Sequence, residues 1–297
     1  MIFVILNKLT EICSDLRALA IARIPGKAKW QILWVYCRLF FKSRFDRFYH
    51  FSEEHFLGYR FQTGVYHHFS IFFREIFVRH SYAFISSTDK PMIIDAGSNI
   101  GLSVLYFKWL YPQSKIIAFE PCPPLFEILK KNVEDNKLSD VTIIQSAVAD
   151  KVGMIELYFP SSKPMGGAAT IVSKAAETKR EYLKSEWETV QVKTIALSEY
   201  ISEPVELLKM DIEGAEGLSF QGLDQTKKLS EIQQGIIEFH YNEVSEKNSL
   251  VDLLTLLKRN HVRTTIYQER ELSDPSGFTT HKRGFHNFML HISQDAK

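Results

Sequence analysis

The sequence predicts an α/β fold: a doubly wound, mostly parallel seven-stranded sheet with a C-terminal antiparallel strand pair, preceded by a helical N-terminal region. Three observations carry this. From Pro91 onward, short apolar runs rich in β-branched residues alternate with longer helical patterns; a parallel sheet covered on both faces reads this way. The first run breaks into a turn of small residues, "DAGSNIG", before a helical pattern resumes. Near the end, "VRTTIYQE" and "HNFMLHIS" are strand patterns joined by a polar loop without a helix, which makes them antiparallel neighbours.

Taken in order, residues 7–24 place Leu9, Ile12, Cys13, Leu16, Leu19 and Ala20 at helical spacing, and Pro25-Gly26 ends that helix. Residues 30–50 are rich in aromatics with Arg and Lys interleaved, and a further helical pattern spans about Tyr66 to Val78. Residues 1–90 therefore read as a helical cap on a domain formed by residues 91–297. Basic residues beside aromatics also suit a homodimer face or peripheral contact with a membrane. In the second part the strands are "MIIDAG", "KIIAFE", "VTIIQSAVA", "VELLKMD" and "GIIEFH", then the C-terminal pair. An insertion at about residues 153–200 carries two strand patterns, "GMIELYF" and "ETVQVKTIAL", around the flexible "SSKPMGGAATIVSK".

Composition narrows the function classes. With 36 basic and 35 acidic residues the net charge is +1, so the chain lacks the electrostatic footprint of a nucleic-acid binder. Cys13, Cys37 and Cys122 form no CxxC pair, which points to a reducing compartment without a cysteine-rich zinc site. The apolar run "ILWVYCRLFF" carries Arg38 and is far shorter than the ~18 residues a spanning helix requires. No signal peptide is expected, and the chain reads as soluble and cytoplasmic.

Open parallel sheets bind ligands beyond the carboxyl ends of their strands, at the point where strand order reverses. The turn after the first parallel strand is such a place. Gly97 and Gly101 lack a Cβ and let a ligand lie against the backbone. Asn99 is the residue best able to replace glycine at positive φ. A dinucleotide turn, GxGxxG, would require glycine at positions 99 and 102, where this chain has Asn99 and Leu102. That disfavours a nicotinamide-dependent oxidoreductase. Asp95, at the strand's end, would repel a pyrophosphate and attract a cationic ligand, directly or through water. S-adenosylmethionine, with its ammonium and sulfonium, is such a ligand. Glu120 ends the second strand 25 residues after Asp95, where an acid accepts ribose hydroxyls. Pro121 stiffens the following turn, Pro124 or Leu125 can lie against the adenine, and Ser146 and Ala147 reach its edge.

Asp211 ends the fourth strand, beside the reacting centre. Glu213 and Glu216 follow into a helix, whose first turn suits acids in any case. Period-two alternation puts Ile236, Glu238 and His240 on one face of the fifth strand. His240, oriented by Glu238 and facing Asp211, is the candidate base, with an unperturbed pKa of ~6.5. The site reads as metal-free; if a divalent metal is used, Asp211, Glu238 and His240 are its ligands or their surroundings.

The stretches "IIDAGSNIGLSVLYF", "AFEPCPPLFEILKKNV", "SAVAD" and "LLKMDIEGAE" resemble the FkbM-type methyltransferases, from about residue 64 to residue 240. The resemblance implies a Rossmann-like class I fold, S-adenosyl-L-methionine as cofactor, and O-methylation of a sugar or other small-metabolite hydroxyl, so the expected partner is a small-molecule or glycan acceptor. It leaves the acceptor's identity open. A catalytically degenerate scaffold that binds cofactor without turnover is the non-enzymatic alternative.

Overall fold

The computed structural model describes residues 2–161, 169–173, 176–177, 186–242, 248–268 and 285–294. Two long helices come first, α1 (Ile2–Ile21) and α2 (Gly26–Tyr49), with Pro25 capping the second. A short hairpin follows, β1 (Glu53–Phe56) and β2 (Tyr59–Gln62), then α3 (Tyr66–Phe73), which runs into a π-helical turn at Arg74–Val78. The sequence reading missed this hairpin because its strands are four residues long and carry no β-branched residue. Its turn is legible in retrospect: Leu57 and Gly58 both adopt positive φ, the geometry of a tight hairpin. The edge of β2 is covered by two asparagine side chains, Asn132 of α5 (Pro123–Asp135) and Asn136, which caps that helix. Asn132 and Asn136 accept from the amides of Gln62 and Arg60, at 2.7 and 2.9 Å, and donate back to their carbonyls.

The main sheet holds β3 (Met92–Ala96), β4 (Lys115–Phe119), β5 (Val141–Ile144), β9 (Val205–Met210), β10 (Ile232–Asn242), β11 (Val262–Gln268) and β12 (Phe285–Gln294). Their order is β11-β12-β10-β9-β3-β4-β5, and the five central and far strands run parallel. β12 lies antiparallel between β10 and β11, so the C-terminal pair extends the sheet as the pattern predicts. Helices α4 (Leu102–Leu110), α5, α6 (Glu216–Gln225) and α7 (Leu250–Arg259) join the strands. The chain walks outward from β3 to β5 and then returns to β9 on the other side of β3, which sets the switch point between β3 and β9.

One element departs from the expected plan. "VTIIQSAVA" is not one strand: the chain turns at Ser146, whose amide donates to the Ile144 carbonyl. The second half, β6 (Ala147–Ala149), leaves the main sheet and pairs with β8 (Trp187–Ala196). β8 in turn pairs antiparallel with β7 (Gly153–Pro160), giving a separate three-stranded sheet in order β6-β8-β7. β7 and β8 are the insertion, and β6 leads into their sheet directly after β5. The "PMGGAAT" and "SDPSGFTTHKRGF" loops, which the sequence offers as covers for a polar acceptor, lie mostly outside the described residues.

The core is continuous from the N-terminal helices to the sheet: Ile32, Leu39, Phe69, Phe77, Tyr106, Ile93 and Leu207 belong to one buried cluster. A second cluster, with Ile94, Met210, Phe220 and Phe239, fills the opposite face.

Candidate active site

The turn after β3 is held by its neighbours' backbones. The amides of Gly97 and Ser98 both donate to the Phe119 carbonyl at the tip of β4 (3.0 and 2.9 Å), and Asp211 N donates to the Ala96 carbonyl (3.0 Å). Gly97, Asn99 and Gly101 all have positive φ, at 81°, 50° and 90°. The glycines are needed for a reason the sequence did not give. A Cβ on Gly97 would lie 1.7 Å from the Asp211 carbonyl oxygen, and one on Gly101 would lie 2.7 Å from Leu129 Cδ1. Gly97 borders the cleft described below, but close strand packing is what forbids a side chain there. Gly101 does not border it.

Beside this turn is an open cleft. Seven of the sequence-predicted residues line it: Gly97, Asn99, Glu120, Pro121, Ser146, Ala147 and Asp211. Leu125 lines it too, whereas Pro124 does not. Thr170, the last residue of the "PMGGAAT" loop, and Ile171 form a further wall. Glu120 is almost wholly buried. One carboxylate oxygen accepts from Asn99 N (2.8 Å) and the other from Cys122 N (2.9 Å). A carboxylate has about four acceptor positions, so both oxygens can still receive hydroxyl donors. Burial pushes its pKa up to about 7, against the pull of the two amides and Lys209.

Asp95 sits beneath the cleft and does not line it. Its side chain is fully buried, accepts from Ser103 Oγ at 2.6 Å and faces Lys209 Nζ at 3.4 Å. Direct contact with a ligand, one of the two options read from sequence, does not fit this burial. Lys209 is the connection that sequence reasoning missed. Its ammonium donates to the Gly97 carbonyl (2.7 Å), pairs with Asp95, lies 3.8 Å from Asp211, and sits 5.3 Å from the Tyr82 ring. Burial alone would lower its pKa, but Asp95, Asp211 and Glu238 outweigh that and hold it charged. The signal was present in "LLKMD": a lysine inside an apolar central strand must find a partner.

On the other side of Asp211 lies a cluster centred on His240. Its Nε2 is 3.4 Å from Glu238, 3.5 Å from Glu213 and 3.8 Å from Asp211. Its Nδ1 is 3.0 Å from Glu216, within hydrogen-bonding distance. Glu216 is itself fixed: it accepts from Asn248 Nδ2 (2.8 Å) and from Gly214 N (3.1 Å), and is fully buried. The sequence treated Glu216 as a helix-terminus acid; it is the group that orients His240. The alternation in β10 does bring Glu238 and His240 together with Asp211. Asp211, Glu213 and His240 each offer one ligand atom, all within 4.8 Å of one another. In kind, two carboxylates and an imidazole suit a divalent cation.

Electrostatically this is a crowded site. Burial and then Glu238 push the Asp211 carboxyl up, to about 8, while Lys209 and His240 oppose this. Burial disfavours charge on His240, yet Glu213, Glu216 and Glu238 together raise its pKa well above the usual histidine range. The acids around His240 therefore favour its protonated form. Four further carboxyl groups, Asp95, Glu213, Glu216 and Glu238, join Asp211 around two cations, Lys209 and His240. The site favours a positively charged guest.

A mostly parallel sheet with a cleft at its switch point and acids at the strand tips defines a Rossmann-like, cofactor-binding class of fold. Residues 95–264 match the methyltransferase FkbM domain, and the chain belongs to that family. It is 34% identical over 179 residues to methyltransferase sdnD of Sordaria araneosa, covering 52% of this chain and 68% of that protein. Methyltransferase 1 of Beauveria bassiana is 36% identical over 168 residues, covering 51% and 66%. The 31-O-demethyl-FK506 methyltransferase FkbM of Streptomyces tacrolimicus is 25% identical over 224 residues, covering 67% and 84%. The chain thus spans about two thirds of the length of the first two relatives.

Proposed function

We propose that this chain transfers a methyl group from S-adenosylmethionine to a hydroxyl of a small metabolite or sugar. The observation that carries the reading is the pairing of two unlike regions at one cleft. At one end a buried carboxylate with spare acceptor capacity, Glu120, stands beside small residues, Ser146 and Ala147. That suits a ribose and an adenine edge. At the other end carboxylates outnumber cations around Asp211. That suits a ligand bearing an ammonium and a sulfonium.

S-adenosylmethionine supplies a methyl group already activated for displacement, so the chain's task is positioning and proton removal. Glu120 would hold the ribose hydroxyls and Leu125 the adenine face. Asp211, through Lys209, is tied to the Gly97 turn and fixes the cationic end. His240 would accept the acceptor hydroxyl's proton at Nε2 while Glu216 holds Nδ1. Because its acidic neighbours favour the protonated form, only the neutral fraction of His240 serves as a base, and the rate should rise with pH.

The acceptor class rests on the family and on one relative's O-demethyl substrate name. Incubating the chain with methyl-labelled S-adenosylmethionine and pools of hydroxylated sugars, phenols and macrolides, then analysing products by mass spectrometry, tests it. Label on an oxygen supports the proposal, and label on nitrogen or carbon contradicts it. A second reading has its own observation, the convergence of Asp211, Glu213 and His240. A divalent cation held there would acidify the acceptor hydroxyl. Loss of turnover in chelator, restored by Mg²⁺ or Mn²⁺, would select it over the metal-free base.

A further inference from the structure

Helix α2 is apolar on two opposite faces. One face is accounted for: Ile32, Val35 and Leu39 are buried in the core. The other carries Trp30, Trp34, Phe41, Phe45 and Phe48, exposed by 73, 62, 63, 50 and 64%. These positions recur once per turn along the 24-residue helix, with exposed Cys37 filling the gap. A helix that buries one side should turn polar residues outward. At ~150–250 Å² per aromatic ring, the stripe exposes on the order of 600 Å², at or beyond the largest patch a monomeric protein leaves open. Ile21 and Leu16 of α1 are exposed as well, by 74 and 42%.

The charges around this stripe are sorted by sign. The described acids of the two helices are engaged on the protein side. Asp15 is fully buried between Arg74, Arg79 and Tyr36. Glu11 faces Arg74 at 3.7 Å, and Asp46 accepts from the Phe51 amide. The cations Arg17, Arg23, Lys27 and Arg44 are exposed. Arg38 lies over the Trp34 ring at 4.6 Å, and Arg44 lies over Phe40 at 4.3 Å. In α2 the sequence has six basic residues and one acid.

We propose that α2 seats the protein on an anionic membrane surface, with the aromatic stripe in the headgroup and upper acyl region and the flanking cations at the lipid phosphates and carboxylates. Large apolar side chains flanked by cations are the composition that lies in the interface plane. Among the described residues no helix is long and apolar enough to cross a membrane, so the contact is peripheral. A second copy of the chain is the worse occupant, because pairing this face with itself would bring exposed cations against cations. An anionic lipid supplies the missing charge. The inference does not rest on the methyltransfer proposal, since none of these residues lines the cleft.

The test is co-sedimentation of the full chain with vesicles of phosphatidylcholine, with and without phosphatidylserine, read alongside tryptophan emission. The expected result is binding to the phosphatidylserine vesicles at least ~10-fold stronger than to the neutral ones, with a blue shift from Trp30 and Trp34. Replacing both Trp34→Ser and Phe41→Ser should lower binding by ~10-fold or more while leaving the thermal melt unchanged, because both side chains face solvent. Lys27→Glu with Arg44→Glu should abolish the preference for phosphatidylserine. Absence of binding to the anionic vesicles overturns the proposal. So does a lipid-free dimer that the Ser pair dissolves, in a protein that ignores both vesicle types; the face then belongs to a second copy.

Discussion

Two carboxylates flank Gly97, and they are treated in opposite ways. Asp95, at the tip of β3, is fully buried, with a serine hydroxyl and an ammonium as partners. Asp211, at the tip of the adjacent β9, keeps about a quarter of its side chain exposed and meets Glu238, Glu213 and His240 as well as Lys209. The first is shut away from the cleft, held by Ser103 on one oxygen and facing Lys209 with the other, and it sits under the turn. The second is left with more negative charge than its partners neutralise, so its protonation can change when a guest arrives. Lys209 connects the two, which couples the rigidity of one to the electrostatics of the other.

The largest expected effect breaks the rigid side. Gly97→Ala puts a methyl group into the Asp211 carbonyl at a backbone φ of 81°. We expect a loss of about 3 kcal/mol or more from overlap and strain together, seen as a lower urea midpoint before any ligand is added. A variant as stable as wild type would mean that the β3–β9 contact is not tight.

Next comes the crowded side. His240→Ala should lower kcat by ~10²- to 10⁴-fold, the usual contribution of a positioned acid–base group, and leave the donor's affinity nearly unchanged. Single-turnover rates and equilibrium titration, measured separately, check both halves. A parallel fall in affinity would make His240 a binding residue instead.

A smaller effect is expected at Glu120. Glu120→Gln keeps the shape but removes the charge, and should weaken S-adenosylhomocysteine by about tenfold. Because Glu120 titrates near 7 before the ligand arrives, ribose hydroxyls that need the ionised form should bind more tightly as pH rises through that value. Calorimetry in buffers of different ionisation enthalpy should show proton release near neutrality. PH-independent affinity would argue that the ribose lies elsewhere.

The subtlest effect concerns positioning. Glu216 raises the pKa of His240 through the bond to Nδ1. Glu216→Gln removes a stabiliser of the imidazolium, so the pKa should fall. The rising limb of the pH–rate profile should move to lower pH by the same amount. A limb that stays in place would uncouple Glu216 from the base.

How much of this could be read in the sequence follows from the same contrast. The Asp95–Gly101 turn was legible because local chemistry dictates it: a strand, positive-φ residues and a helix restart within one short stretch. The seven strands were legible because period and β-branching are local too. The break between β5 and β6 was not, since it depends on β6 finding β8, some 45 residues on. The candidate base was visible only as alternation in β10. Its partner Glu216 was hidden because an acid in the first turn of a helix is normal by itself, and only the packing of α6 against β10 turns it onto His240. Lys209 was hidden among apolar neighbours. The hairpin was missed because asparagines far along the chain, Asn132 and Asn136, complete its edge.

The central claim is that the cleft beside Gly97 binds S-adenosylmethionine through Glu120. Isothermal titration of the wild-type chain and of Glu120→Ala with S-adenosylhomocysteine tests it most directly. The account predicts saturable one-to-one binding by the wild type in the micromolar range, weakened at least ~10-fold in Glu120→Ala with an unchanged circular dichroism spectrum. No binding by the wild type at about 1 mM ligand, or equal binding by both proteins, would contradict it.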